Sequence, residues 1–177
     1  MKLSTLHLSS LMLLPLATSV AAIPTGVPRN GTLAKRGGEV NYLAQCSRFG
    51  PGAGAELYQA SYIAWYANSD NSQNQQKPDS LSNEYRDWST AAGRRLTWEG
   101  TEQSIHFKDS GITIQTHIDA DALSRGLYAW GGWIQRTSDW RTFDCYKDNN
   151  RILFDWRPPV PDGTQNKIFC YADYWCV

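Results

Sequence analysis

The sequence predicts an α+β fold in which one main helix and a short helix pack on an antiparallel sheet of four to six strands with two disulfides. Helical spacing of aromatic residues is confined to the stretch between residues 55 and 88, whereas from Arg94 onward apolar and polar residues alternate with a period of two. Because the helices come first and the strands later, a parallel sheet is disfavoured. All four cysteines lie beyond residue 45, and an even count in a secreted chain implies two disulfides.

The first 22 residues have the pattern of a secretory signal peptide. Lys2 precedes an apolar run at 11–16, and small residues follow at 20–22. The apolar run is shorter than the about 20 residues that a membrane-spanning helix needs, and no later stretch comes near that length. We therefore expect a secreted, extracellular protein without a transmembrane segment.

Residues 23–36 have the composition of a pro-piece that ends in a dibasic processing site, Lys35 and Arg36. The segment is rich in Pro and Gly and has little to bury, so the site would be open to a protease. Residues 37–177 then form a single secreted domain, since 141 of the 177 residues remain. This part keeps 13 of the 17 basic residues and all 17 acidic ones, a net charge of −4. Such a domain is a poor non-specific binder of nucleic acid or anionic membrane, and we expect no specific nucleic-acid partner.

The main helix is predicted at 55–68. The aromatic residues that would share one helix face and pack on the sheet are Tyr58, Tyr62, Trp65 and Tyr66. Glu56 would lie in the first turn, where the helix dipole favours a carboxylate. The short helix begins after Pro78, and its apolar face would consist of Leu81, Tyr85 and Trp88.

Period-two alternation predicts strands at 95–98, 104–107 and 112–118. The last two would form a hairpin through a four-residue loop at 108–111. The predicted register sets Phe107 opposite Ile112, Ile105 opposite Ile114 and Glu102 opposite His117, so that the apolar side chains share one face. A second hairpin is predicted around the turn at 148–150, and a last strand at 168–171.

The cysteine pairing remains open among Cys46, Cys145, Cys170 and Cys176. We favour Cys46–Cys145 with Cys170–Cys176, because the first bond would close a long loop between the N-terminal segment and the second hairpin. Cys46–Cys176 with Cys145–Cys170 is the alternative. No Cys-x-x-Cys spacing and no histidine near a cysteine pair occur, so we expect no metal and no other cofactor.

One candidate catalytic set consists of His106, His117 and Glu102, which would all point to the polar face of the first hairpin. Two imidazoles and a carboxylate can act as general acid and base, for example in RNA cleavage, because histidine titrates near neutral pH. The favoured interpretation is that both histidines are solvated residues on a sheet face, so no catalytic residue is assigned.

A candidate binding set combines tryptophan and arginine, the residue types that most often anchor interfaces. Its members are Trp130, Trp133, Arg136, Trp140 and Arg141. Exposed tryptophan stacks on sugar rings or anchors protein contacts, and the alternative is that these rings fill a core with few aliphatic residues.

The chain resembles the small secreted cysteine-containing proteins of filamentous fungi. The resemblance depends on the order of the signal peptide, the dibasic pro-piece, YIAWY at 62–66, LTWEG at 96–100, FDCYKDN at 143–149 and the closing Cys170 and Cys176. Many such proteins are candidate effectors, and some have killer-toxin-like or ribonuclease-like α+β folds. The resemblance implies an extracellular or host-delivered protein and transfers no catalytic residue.

These observations predict a non-enzymatic, effector- or toxin-like secreted protein that binds a host or competitor target, either a protein or a cell-wall glycan, as a monomer. One alternative is a ribonuclease-like enzyme or pseudo-enzyme that uses His106, His117 and Glu102. The other is a carbohydrate-binding module that uses its exposed tryptophans.

Overall fold

A computed structural model describes residues 38–50, 54–89, 93–157 and 167–177. The predicted signal peptide, the pro-piece and its Lys35–Arg36 site lie outside the described residues. Of the described residues, 53% are in β-strands and 7% are helical. The predicted α+β class is therefore wrong, because the fold is nearly all β.

The secondary structure of the described residues consists of nine strands and two short 3-10 helices. The strands are β1 Val40–Phe49, β2 Glu56–Tyr66, β3 Ser80–Leu81, β4 Gln103–His106, β5 Thr113–Ile118, β6 Trp130–Arg136, β7 Arg141–Lys147, β8 Ile152–Trp156 and β9 Lys167–Cys176. The 3-10 helices are Ser69–Asn74 and Ala122–Ser124. No helix in the described part of the chain is long and apolar enough to cross a membrane.

The strands form one antiparallel sheet in the order β3-β2-β1-β9-β7-β6-β5-β4, and β8 pairs with β9 beside this path. The eight-stranded path is curled into a half-barrel. The curl brings the β3 and β4 edges of the sheet together. The backbone N–H of Asn83, just after β3, donates to the carbonyl of His106 in β4 at 2.8 Å.

The predicted main helix at 55–68 is the strand β2. Tyr58, Tyr62 and Tyr66 are spaced by four, which suits one face of a helix but is also an even number and so suits one face of a strand. Successive residues of β2 point to opposite faces of the sheet, and residues on both faces are buried. The strand therefore has no polar side, and its sequence shows no alternation of apolar and polar residues. The aromatic and β-branched content agrees with a strand.

The predicted short helix after Pro78 is also wrong. Its first residues form β3, which pairs Leu81 with Ala64, and Tyr85 makes an isolated bridge to Ser61. Trp88, which was expected on the packed face, is 66% exposed. The segment therefore extends along the sheet edge instead of forming a helical layer.

The first predicted hairpin and its register are confirmed. Ile105 pairs with Ile114 across β4 and β5, and the backbone N–H of Phe107 donates to the carbonyl of Ile112 at 2.8 Å. His117 Nδ1 lies 3.7 Å from Glu102 Oε2, as the register requires. Alternation predicted this region correctly because one of its faces is buried and the other is solvated.

The second predicted turn lies between two strands that do not pair with each other. Asn150 has a φ of 58°, which is the left-handed conformation that asparagine tolerates in turns. However, β7 pairs with β6 and β9, and β8 pairs with β9 alone. The two arms of the expected hairpin instead follow one another along one edge of the long strand β9, which the sequence predicted only in part, because β1 occupies the other edge.

The disulfides connect β9 to its two neighbours and differ from both pairings that the sequence suggested. They are Cys46–Cys170, between β1 and β9, and Cys145–Cys176, between β7 and β9. Both join residues that are direct partners in the sheet. A bond between Cys170 and Cys176 is impossible, because six residues of strand span about 20 Å.

Two apolar cores lie on opposite faces of the sheet. The inner core includes Leu43, Ile63, Trp98, Ile105, Phe107, Ile114, Ile118, Ile134, Phe143, Tyr174 and the disulfide Cys145–Cys176. These residues come from nearly every strand, and only the concave side of a curled sheet brings such strands together. The second core includes Val40, Tyr42, Tyr62, Tyr66, Leu153, Phe154, Trp175 and the disulfide Cys46–Cys170. Among the described strands, burial on both faces leaves the convex side of β4–β7 as the open sheet surface.

Candidate functional site

The convex, solvated side of β4–β7 is called the outer face. Its strand residues alternate with those of the inner core, and they are Ser104, His106, Thr113, Gln115, His117, Trp133, Gln135, Thr142 and Asp144, with Glu102 just before β4. The surface carries two carboxylates and no lysine or arginine. It offers hydroxyl, amide, imidazole and indole groups on a convex surface.

A row of paired residues crosses this face. His117 pairs with Trp133, and Trp133 pairs with Asp144, across β5, β6 and β7. The His117 imidazole stacks on the Trp133 indole with ring centroids 3.9 Å apart and an interplanar angle of 22°. Glu102 forms an ion pair with His117 when the imidazole is protonated. The stack therefore fixes an aromatic platform between two carboxylates.

Trp130 extends the row at one end. Its indole Nε1 donates to Asp144 Oδ1 at 3.2 Å, and its side chain is 43% exposed. The register of β6 shifts between Trp130 and Gly132, so a bulge at Gly131 brings two neighbouring tryptophans to the same surface. Arg125 holds this end of the strand by donating to the carbonyl of Trp130 at 2.8 Å.

The two candidate catalytic histidines lie on the same face but apart. His106 pairs with Thr113, and its Nδ1 lies 3.1 Å from Thr113 Oγ1. His117 follows four residues later on the same strand as Thr113, a separation of about 13 Å. The geometry therefore places Glu102 beside one imidazole only, and no single reacting atom lies within hydrogen-bond reach of both rings.

The candidate binding arginines lie away from the tryptophan row, at the rim of the concave side. Arg136 donates to Glu39 Oε2 at 2.9 Å and to Asp139 Oδ2 at 2.7 Å, and Arg141 pairs with the other oxygen of Glu39. The Arg136 hydrogen bond lowers the pKa of Asp139 to about 2. Burial raises the pKa of Glu39, but the hydrogen bonds from Trp65 and Arg136, together with the charges of Arg136 and Arg141, lower it below its usual value. The rim is thus a compact, internally neutralised network.

Trp140, the remaining candidate, occupies the turn between β6 and β7. It has a φ of 59° and is 70% exposed. Its carbonyl accepts from Gln135 Nε2 at 3.4 Å, which ties the turn to the outer face. The structure therefore brings Trp130 and Trp133 together and leaves Trp140 separate from them at the strand end.

An apolar cavity of about 200 Å³ opens beside Arg136 on the concave side. It is lined by Asn41, Trp65, Ser80, Phe107, Ser110, Ile112, Ile114 and Arg136. Asn41 is 1% exposed, and neither its Oδ1 nor its Nδ2 has a hydrogen-bond partner in the described part of the protein. Buried side-chain amides normally have hydrogen-bond partners, so the unpaired amide of Asn41 is an exception that requires a physical explanation.

A larger and more polar cleft of about 430 Å³ lies further along β1. Arg95, Glu99 and Asp173 line it, and Tyr174 Oη donates to Glu99 Oε1 at 2.6 Å. Asp173 sits at a register shift of β9 against β1. Burial raises its pKa to about 6, and the nearby Arg95 opposes part of this rise.

Sequence reasoning missed both Asn41 and Asp173. Each carried a recognisable signal, since each is a polar residue inside an otherwise apolar or aromatic run, Val40–Ala44 for the first and the end of β9 for the second. That signal becomes informative only when the run is known to be a strand with a buried concave face.

No protein-family model, no curated protein and no solved structure matches this chain. The resemblance to small secreted fungal proteins therefore stays a prediction.

Proposed function

We propose that the protein is a secreted, non-enzymatic binding protein, effector- or toxin-like in action, that recognises a target of a host or competitor through its outer face. The observation that carries this proposal is the His117–Trp133 ring stack, which lies in one row with Glu102 and Asp144. A rigid aromatic anchor surrounded by polar groups is the usual composition of a recognition surface. The two disulfides support function in an oxidising, extracellular setting.

A cell-wall glycan is the target class that the outer face favours. Sugar rings stack on indoles, and their hydroxyl groups donate to carboxylates such as Glu102 and Asp144 and exchange hydrogen bonds with amides such as Gln115 and Gln135. The strand residues of the outer face include no lysine or arginine, and Arg125 at the Trp130 end is paired with Asp119 and Asp121. Together with the two carboxylates, this disfavours phosphate-bearing targets. Neutral polysaccharides have rings that stack on indoles and hydroxyl groups that bind carboxylates, and they carry no phosphate.

A binding role is favoured over ribonuclease chemistry by the positions of the histidines. Acid–base cleavage needs two groups within reach of the same phosphate, and His106 and His117 are about 13 Å apart along the strand. His117 is also engaged in the ring stack, so its position has a structural role in the platform.

Pull-down on insoluble polysaccharides tests the proposal. The secreted protein should be retained by at least one of chitin, cellulose and β-1,3-glucan, and Trp133→Ala should lose about tenfold or more in affinity. Trp88→Ala is the matched control, because Trp88 is a 66% exposed tryptophan outside the outer face and its loss should leave retention unchanged.

A parallel incubation separates binding from catalysis. No reducing ends should appear from the bound polysaccharide, and RNA should remain intact. Specific RNA cleavage that disappears in His117→Ala would overturn the proposal in favour of the ribonuclease-like alternative.

A further inference from the structure

The cavity beside Arg136 has the composition of a small-molecule site. Trp65, Phe107, Ile112 and Ile114 give it apolar walls, and two serines, the half-buried Ser80 and the exposed Ser110, also line it. Small-molecule sites in proteins are mostly apolar, contain a few placed polar groups and often occupy the mouths of β-barrels. This cavity occupies the concave side of a half-barrel.

Asn41 is the polar group whose placement in this site lacks a structural explanation. Residues of β1 alternate between the two faces, and Asn41 shares its face with Leu43 of the inner core. Its amide is buried, lines the cavity and satisfies neither its donor nor its acceptor within the described protein. A leucine would fit such surroundings at lower cost, so the amide is best explained by a partner that comes from outside the protein.

The charge around the cavity selects a neutral partner. Arg136 is the one ionisable residue among the described residues that line it, and Glu39 and Asp139 hold the guanidinium in ion pairs at 2.9 Å and 2.7 Å. The hydrogen bonds of Asp139 and Glu39 raise the pKa of Arg136, so the network stays charged and paired. An incoming carboxylate would compete with two existing partners and would also lose its hydration.

We propose that this cavity binds a small, neutral aromatic molecule with a primary amide or lactam edge, which Asn41 recognises through one donated and one accepted hydrogen bond. An amide edge presents one donor and one acceptor side by side, which is the complement of the asparagine side chain. The size agrees, because a cavity of about 150 Å³ accommodates benzene and the cavity here is about 200 Å³. The proposal concerns the concave side and is independent of glycan binding on the outer face.

Benzamide and toluene are the probes that test this proposal. They share the ring and differ in the amide. The ratio of their dissociation constants includes their different hydration, but its change from the unaltered protein to a variant cancels this contribution and reports the polar contact. We expect Asn41→Leu, which keeps a side chain of similar size, to change this ratio by about tenfold or more in favour of toluene, because each of the two hydrogen bonds contributes about tenfold. An unchanged ratio, or failure of both probes to bind at millimolar concentration, would overturn the proposal.

Two further measurements keep the test decisive if the leucine variant does not fold. In the unaltered protein, the side-chain N–H resonances of Asn41 should move downfield in NMR titrations with benzamide, whose carbonyl accepts a hydrogen bond, and should show no comparable downfield shift with toluene, which acts on them through its ring current alone. Benzoate should bind at least several-fold more weakly than benzamide, and tighter binding of benzoate would contradict the choice of a neutral ligand.

Variants on the two sides of the sheet test where benzamide binds. Ile114→Phe should fill the cavity and abolish benzamide binding. Trp133→Ala, on the opposite side of the sheet, should leave benzamide binding unchanged. Loss of benzamide binding in Trp133→Ala would place the ligand on the outer face and overturn the assignment to the cavity.

Discussion

Cys170 and Cys176 lie six positions apart on β9, yet each is bonded to a different neighbouring strand. Between them the register of β9 against β1 shifts at Asp173, so that Cys170 faces the second core and Cys176 the inner core. One strand thus receives a covalent connection on each of its faces. Each core therefore contains one disulfide to β9, which lies between β1 and β7 in the sheet.

The two disulfides should contribute unequally to stability. In the chain-entropy model a bond across 124 residues is worth about 5 kcal/mol and one across 31 residues about 4 kcal/mol. We expect Cys46→Ala/Cys170→Ala to lower the free energy of unfolding by about 1 kcal/mol more than Cys145→Ala/Cys176→Ala does, as measured by urea denaturation. The single variants Cys145→Ser and Cys176→Ser should melt together because they break the same bond. Clearly different melting temperatures would contradict the pairing.

The partly buried carboxyl of Asp173 should make stability depend on pH. Its pKa is about 6 in the folded protein against 3.8 for the free group, so the folded state binds the proton more tightly. The resulting stabilisation is complete below about pH 4 and is lost as pH rises through 6, at a total cost of about 3 kcal/mol. We expect Asp173→Asn to be more stable than the unaltered protein above pH 7 and equally stable near pH 4.

Urea denaturation between pH 4 and pH 8 measures this difference. Asp155→Asn is the control for loss of one acidic residue, because Asp155 lies on β8 and pairs with Lys167 at 3.1 Å. A difference between Asp173→Asn and the unaltered protein that stays constant with pH would contradict the role given to burial.

Gly132 should be indispensable to the outer face. Its φ is 141°, and a Cβ atom there would overlap the carbonyl oxygen of His117 and approach the Cα of Ile118 to 2.8 Å. Gly132→Ala should therefore cost about 3 kcal/mol or more and separate β6 from β5. Gly111→Ala is the control, since Gly111 has a φ of 71° with open space around it and should cost about 1 kcal/mol. Equal melting temperatures for the two variants would contradict this account.

The sequence was informative where one face of a strand meets water. The β4–β5 hairpin follows this pattern, and its register, including the Glu102–His117 contact, could be predicted. It was misleading for β2, because a strand buried on both faces loses its period of two and its tyrosines at every fourth position also fit a helix.

Long-range relationships were beyond the reach of sequence patterns. The contact of His117 with Trp133 depends on the register of β5 against β6, which are joined by a connection of 11 residues between Ile118 and Trp130. The disulfides depend on the position of β9 between β1 and β7. Asn41 gained its significance only when the curl of the sheet placed a cavity beside it.

The most direct test of the account is an NMR titration of the protein with a soluble oligosaccharide of the polysaccharide that retains it. The account predicts that the largest shift changes occur at the backbone amides of His117, Trp133 and Asp144 and at the indole N–H of Trp130, while the indole N–H of Trp88 stays in place. Largest changes at Trp88, around Asn41, or nowhere on β5–β7 would contradict the assignment of the outer face as the recognition surface.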